Sequence, residues 1–453
     1  MKFLKMHKGF LLKDSLVIKK PLEKLSIFGV SIFLLMAAFL SPLQEIFSFY
    51  ILLAMYMTGA MCIIFPVICR GDILIKDKIW YSCLLVFFVS FMFNNKDMLI
   101  GGIASHLFVR TFICIMLLFL LPIQKSWSLK YHKLLFLSTY IHVIATIVFF
   151  MVPKLWNTYS KIVFKGVVSG TANDRGYTAA LNGHYSTNGT LIAMAILCCA
   201  AYLFVSKNNK WWIPLALGFF AVLLTTKRAH LLFSIVAILA VYLVLNWNEH
   251  AIKTVFIMLI ISILAVVSFF MVARYVPAVA AVLERLSSIG DDNSSVERFD
   301  MWKSAMEMFK SKPICGSGWG SFKYSNDFKG QNDNVLNAHN IYIQLLAENG
   351  IIGLSSFCAV AFSSMYRLIK TLYKWDKKPL YNSIYRALVF SALIQVFMLL
   401  YGLTGNVLYD FCLVYYVIAL SAGEAIMHNM ESLKQGCLIE AAKNGTLFKN
   451  KVK

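Results

Sequence analysis

The sequence predicts an all-α polytopic membrane protein of about twelve transmembrane helices, with a large helical extracytoplasmic loop between spans nine and ten. Three observations carry this. Hydrophobic residues make up 59% of 453 and charged residues only 14%, far from the balance of a soluble globule. Apolar runs long enough to cross roughly 30 Å of hydrocarbon recur along the whole chain. Lys and Arg gather in alternate short connections, as the positive-inside rule demands.

The apolar runs lie near 25–40, 46–69, 79–93, 101–121, 134–152, 189–205, 211–225, 231–246, 254–272, 350–366, 387–401 and 407–425. With the N-terminus inside, Arg70–Lys78, Pro122–Lys133, Ser206–Lys210, Trp247–Lys253, Arg367–Arg386 and the tail Met427–Lys453 fall in the cytoplasm. With the N-terminal segment they hold most of the 43 Lys and Arg. The formal charge of +21 therefore orients the chain and points to no nucleic acid. Outward segments are 41–45, 94–100, 153–188, 226–230, 273–349 and 402–406. Residues 1–453 read as a single membrane domain, with 153–188 and 273–349 as its two long outward loops.

The N-terminus, Met1–Lys24, carries seven lysines ahead of an apolar run and no clear small-residue cleavage site. It reads as an uncleaved signal anchor. Nine of the ten cysteines fall in spans or cytoplasmic segments, and only Cys315 lies in a large loop. Without a CxxC or a Cys/His cluster, neither a disulfide framework nor a zinc site is expected.

Along the chain, Arg110 stands one turn from His106 inside the fourth apolar run. An intramembrane cation is costly and usually faces an interior cavity, so a substrate contact and a structural hydrogen-bonded arginine are equally open. The loop 153–188 ends in LNGHYSTNGT (Leu181–Thr190), whose donors and aromatic faces suit a sugar. His184 and Tyr185 are the candidates; the plainer alternative is a polar loop entering a helix with Ser186, Thr187 or Asn188 as its cap.

The hairpin Thr225-Thr226-Lys227-Arg228-Ala229-His230 places two cations on the side where the positive-inside rule disfavours them. They either snorkel to lipid phosphates or meet an anionic ligand. Arg228 is the better candidate, because a guanidinium grips two phosphate oxygens at once.

In the loop 273–349, Ser294-x-x-Glu297 is a capping box, followed by Phe299, Trp302, Met306 and Phe309 at helical spacing. Arg298 then falls in the first turn, where a cation opposes the helix dipole, and a phosphate would account for it. Gly316-x-Gly318-x-Gly320 follows no strand and reads as a turn, not a nucleotide loop. The stretch NAHNIYIQLLAENGIIGL (Asn337–Leu354) starts polar, becomes amphipathic through Ile341, Ile343, Leu345 and Leu346, and breaks at Asn349-Gly350. His339 there is either a base at the mouth of a site or a surface histidine at a helix start; Asn340 beside it is a further substrate-binding candidate. The spans hold almost no Asp or Glu apart from Asp410 and Glu424, which disfavours an ion-coupled transporter.

TTKRAHLL after a span, ERFDMW with Pro313 and Gly316-x-Gly318 in the large loop, and AHNIYIQLLAENGIIGL entering the next span together resemble the superfamily of bacterial O-antigen ligases and polysaccharide polymerases. The resemblance covers roughly residues 180–365. It implies a metal-independent, inverting glycosyltransferase without a cofactor, on the outer face of the bacterial cytoplasmic (inner) membrane; the Lys/Arg asymmetry places both termini in the cytoplasm. Its donor would be a glycan on undecaprenyl diphosphate, and its acceptor a sugar hydroxyl on a growing polysaccharide or lipid A core. The resemblance makes Arg228 and Arg298 the contacts of the donor diphosphate and His339 the general base; it marks HYSTNG as a family-associated stretch without giving it a role. The motifs lean to a polymerase over a ligase.

Elementary chemistry agrees with that implication. A diphosphate is already a good leaving group, and arginines can stabilise its developing charge where other enzymes use a metal. The first outward loop, Ser41–Glu45, lacks the paired carboxylates of metal-dependent oligosaccharyltransferases. A neutral imidazole with an unperturbed pKa of ~6.5 can accept a hydroxyl proton; a helix N-terminus lowers that value and a bound diphosphate raises it. The rival reading is a lipid-linked oligosaccharide flippase, which needs neither His339 nor a long outward loop. A scaffold protein would have no use for outward arginines.

Overall fold

The computed structural model describes residues 21–70, 77–102, 105–124, 127–165, 179–206, 208–275, 293–325, 336–375 and 379–443. Among them are helices and turns and no strand, and the chain is an all-α, multi-pass membrane protein. Eight helices in the described residues are long and apolar enough to cross a membrane: Pro21–Ala38, Phe49–Cys69, His106–Ile123, Tyr131–Met151, Tyr185–Ser206, Arg228–Trp247, Ile341–Tyr373 and Asn382–Tyr401. Lys78–Met92, Asn209–Leu224 and Cys412–His428 are shorter apolar helices. The lysine-rich start, the last ten residues and parts of both long loops (166–178, 276–292, 326–335) lie outside the described residues, and with them the signal anchor and the placement of the termini.

One expected run, 254–272, is not set off by a turn from the run before it. The helix Arg228–Ala273 runs through 46 residues, about 69 Å at ~1.5 Å per residue, and Trp247–Lys253, expected as a cytoplasmic turn, is helical throughout. That segment contains neither Gly nor Pro, so nothing local ends the helix. The start of the loop 153–188 is likewise an amphipathic helix, Pro153–Val163, burying Trp156 and Ser160.

Tyr185–Ser206, Asn382–Tyr401 and Cys412–His428 are buried on nearly every face, the mark of helices at the centre of a bundle. Phe49–Arg70 shows the opposite pattern: Met57, Met61, Phe65 and Ile68 are exposed at helical spacing, a stripe suited to lipid. Hydroxyls inside the bundle bond back to their own helix, as Thr139 does to the Leu135 carbonyl at 2.8 Å and Thr146 to that of His142 at 2.8 Å. Hydrocarbon offers them no other partner. At the end away from the candidate site, Arg367 pairs with Asp77 and, at 2.7 Å, with the buried Glu424.

The helix Ile341–Tyr373 packs against Lys78–Met92 and Asn293–Ser311 and is kinked where the sequence breaks it, at Gly350 (φ +63°, ψ −165°). The glycine turn after Pro313 fills the kink. Ser317 N–H donates to the Ala347 carbonyl at 3.1 Å, Gly318 N–H to Glu348 at 2.6 Å, and Ile351 N–H back to Pro313 at 2.9 Å. These bonds occupy carbonyls and amides that the kink takes out of the helical ladder. A Cβ on Gly350 would stand 2.2 Å from the Ile314 carbonyl oxygen, so only glycine fits.

Candidate functional site

Six helix ends meet at one end of the bundle, and the polar stretches singled out above meet there too. Tyr185 opens one helix, Leu224 closes another, Arg228 opens the next, Ile341 follows, Tyr401 closes a fifth and Cys412 opens the last. Lys227, between two of these ends, is the hub. Its ammonium nitrogen stands 3.6 Å from the centroid of the Tyr185 ring. Its stem lies along Gly189, where a Cβ would come within 3.2 Å of Lys227 Cγ. His230, three residues on, places Nε2 2.8 Å from Thr190 Oγ1 and its ring 4.5 Å from that of Tyr401. The HYSTNG stretch thus acquires a structural role: one face of the helix it starts is the seat of the hairpin cation.

His184 ends the preceding turn, and its Nδ1 accepts from Thr187 N–H at 3.4 Å. The helix is therefore capped by His184 itself, where Ser186, Thr187 or Asn188 were the alternatives. Burial first, then the charge of Lys227, lowers His184 to about 4.

His339 lies across from Lys227, in the turn before Ile341–Tyr373. Its backbone is left-handed, φ +53°, a conformation that costs a non-glycine residue about 1–3 kcal/mol and must be held by its surroundings. Four bonds do so. Trp302 Nε1–H donates to the Ala338 carbonyl at 2.8 Å, Gln344 Oε1 accepts from Ala338 N–H at 3.0 Å, and Ile341 N–H donates to the Gly402 carbonyl at 2.9 Å. Asn406 Oδ1 accepts from His339 N–H at 3.0 Å, while Asn406 Nδ2 stands 3.3 Å from the ring Nδ1. The ring is half-buried. Burial, then Arg298, then Lys227 lower its pKa to about 4, so without ligand the imidazole is neutral at pH 7.

Beneath this turn sits an acid the sequence reading passed over. Glu348, fully buried, accepts from Gly320 N–H at 2.9 Å, Phe322 N–H at 3.2 Å, Gln344 Nε2 at 3.0 Å and the Tyr409 hydroxyl. It joins the glycine turn, the His339 turn and the 402–411 connection. The available signal was Gln344 and Glu348 four residues apart in a run read as amphipathic.

The other expected residues divide. Arg298 belongs to the group, since its charge acts on His339. It is the sixth residue of Asn293–Ser311, in the second turn, so the dipole argument for a phosphate is weaker than the sequence suggested. Arg228 stands next to Lys227 at the helix start. Asn340 is the helix cap, its Oδ1 accepting from Tyr342 and Ile343 N–H at 3.0 and 3.2 Å. Arg110 donates to the Tyr409 carbonyl at 2.9 Å and opposes the burial that raises Asp410; it braces the connection that carries Asn406. Among the described residues no group of three or more His, Cys, Asp or Glu could hold a metal ion.

Residues 213–358 match the family model described as O-antigen ligase. The matched segment contains Lys227, Arg228, Arg298, His339 and Glu348, and stops short of Asn406. No curated protein matches the chain.

Proposed function

We propose, from the premise that this chain is a member of the O-antigen ligase and polymerase superfamily, that it transfers a glycan from an undecaprenyl-diphosphate donor to a sugar hydroxyl at the Lys227–Arg298–His339 end of the bundle. The observation that carries the reading is the convergence of cations from two distant segments on one half-buried imidazole. Three positive side chains, Lys227, Arg228 and Arg298, match the charge of a diphosphate. Their placement at helix ends suits a headgroup lying at the membrane surface. Arg228 and Arg298 offer planar forks to paired oxygens, and Lys227, fixed on Tyr185, adds a point charge.

In this reading the cations stabilise the negative charge that grows on the leaving diphosphate, the task a metal ion performs elsewhere. His339 touches the bound donor. Tyr185 and His184 border the hub and meet the sugar, while Arg110 and Asn340 hold the frame. The reaction goes with inversion, and the site faces the outside of the cytoplasmic membrane, with lysine-rich connections and both termini inside. The acceptor is the non-reducing end of a growing surface polysaccharide, in line with the polymerase leaning of the motifs; lipid A core is the alternative acceptor.

The test is complementation of a strain lacking the gene, read as the length distribution of its surface polysaccharide. Lys227→Ala and Arg298→Ala, each at wild-type membrane abundance, are expected to give short or unligated chains. Wild-type length profiles from both variants would refute the assignment of the site.

A further inference from the structure

Two atoms of one carboxamide decide which proton His339 carries. The backbone N–H of His339 can only donate, so the Asn406 atom 3.0 Å from it is the carbonyl oxygen. The amide nitrogen of Asn406 then faces His339 Nδ1 at 3.3 Å. An amide nitrogen donates and does not accept, so Nδ1 must offer a lone pair. Turning the carboxamide over would set two donors against each other at the backbone. A neutral imidazole has one N–H, and here it is left on Nε2. His184 is arranged the same way, its Nδ1 accepting from Thr187 N–H.

We propose that Asn406 is a positioning residue that locks His339 as the Nε2–H tautomer, so that His339 offers a hydrogen-bond donor, and no lone pair, to an oxyanion of the bound diphosphate. The proposal rests on the reading that this site takes a lipid-linked diphosphate. It departs from the general base that the family resemblance implies: a base acting through Nε2 needs the proton on Nδ1, where Asn406 presents a second donor. With Lys227 and Arg298 beside it, a neutral N–H donor completes a group of donors only, complementary to an anion with no proton of its own to give. The depressed pKa is consistent, since protonating Nδ1 would both oppose the amide N–H and add a positive charge beside Lys227 and Arg298.

The direct test is a two-bond proton–nitrogen correlation spectrum of histidine-labelled, full-length protein in nanodiscs at pH 7, with His339→Gln identifying the His339 signals. Nε2 is expected to be protonated and Nδ1 bare; a predominantly Nδ1-protonated ring overturns the proposal. Undecaprenyl diphosphate should then shift the Nε2–H signal, and phosphatidylglycerol alone should not. A shift with phosphatidylglycerol alone would assign the donor bond to a phospholipid headgroup and overturn the proposal.

Two variants give an independent reading. Asn406→Asp puts an acceptor against Nδ1, draws the proton there and leaves Nε2 bare. Transfer should fall on the order of tenfold or more, the usual effect of losing a hydrogen bond to a charged group, and the tautomer signal should switch. A switched tautomer with undiminished transfer sinks the donor role. His339→Gln keeps an N–H near the same place, so it should transfer at least tenfold faster than His339→Ala; equal loss in both also sinks it. If instead His339→Ala, Lys227→Ala and Arg298→Ala all transfer at the wild-type rate, it is the proposed function of the site that fails, whatever the tautomer.

Discussion

The ammonium of Lys227 stands 3.6 Å from the centroid of the Tyr185 ring, so the hairpin cation is seated on a side chain from a different helix, 42 positions earlier in the chain. A contact of this kind stabilises a partly desolvated cation by roughly 0.5–2 kcal/mol. Tyr185→Phe keeps the ring and should transfer nearly as well as wild type. Tyr185→Leu removes it and should raise the KM for donor lipid several-fold, measured with purified protein. Gly189→Val, which puts bulk against the Lys227 stem, should do the same without touching a charge; unchanged KM in both would mean that the seat does not place the cation.

The two arginines are expected to differ from the lysine in what replaces them. If Arg228 and Arg298 grip paired oxygens, Arg→Lys at either position keeps the charge but loses the fork. Each should cost much of the activity, approaching the ~10²–10³-fold typical of removing one oxyanion contact. Steady-state transfer by Arg298→Lys at the wild-type rate would show that only its charge matters.

Glu348 tests the frame apart from the chemistry. Glu348→Ala strands two backbone N–H groups, the Gln344 amide and the Tyr409 hydroxyl in a buried place. At about 1–3 kcal/mol for each stranded group, destabilisation of roughly 3 kcal/mol or more is expected, visible as a lowered melting temperature in detergent. Glu348→Gln keeps an acceptor and should fall between Ala and wild type. A melting temperature unchanged in Glu348→Ala would contradict its place as the joint of three segments.

Much of this was legible in the sequence because it is local. Apolar runs of the right length gave the all-α membrane fold, Asn349-Gly350 gave the kink, and the absence of a strand before Gly316-x-Gly318-x-Gly320 made it a turn. Local pattern also misled: Trp247–Lys253 has the charge of a cytoplasmic turn but the composition of a helix, and it is helical. Arg228 and Arg298 could be picked out as charges where charge is unfavourable, and His339 as a titratable side chain at a helix start. Their partners could not. Asn406 meets His339 from 67 residues away, and an asparagine in a short loop carries no signal of its own. Lys227 looked like the lesser of two hairpin cations because its standing comes from Tyr185 and Gly189, which only the packing of two helices reveals. Glu348 was hidden by its neighbours, since a buried acid and an exposed one occupy the same position in an amphipathic repeat.

The pH dependence follows from His339. Its usual value is 6.5, and in the folded protein burial, Arg298 and Lys227 lower it to about 4. A lowered value means that the neutral ring is favoured, fully so above 6.5, and that this advantage is lost as the pH falls toward 4. The neutral ring already carries its donor on Nε2, so for free enzyme kcat/KM should stay flat from pH 8 to about 5. A bound diphosphate raises the value, but the protonated ring keeps the same Nε2–H, so kcat should stay flat over that range too. A single fall near 6.5 in both would contradict the buried, cation-flanked ring.

Transfer from a lipid diphosphate at this site sets the carrier free, and that release can be measured. Purified protein in liposomes, given undecaprenyl-diphosphate glycan and acceptor in EDTA, should form one glycosidic linkage for each undecaprenyl diphosphate set free. His339→Ala and Lys227→Ala should slow both products together. Movement of the lipid-linked glycan across the bilayer with no free undecaprenyl diphosphate formed, or loss of release on adding EDTA, would contradict the account.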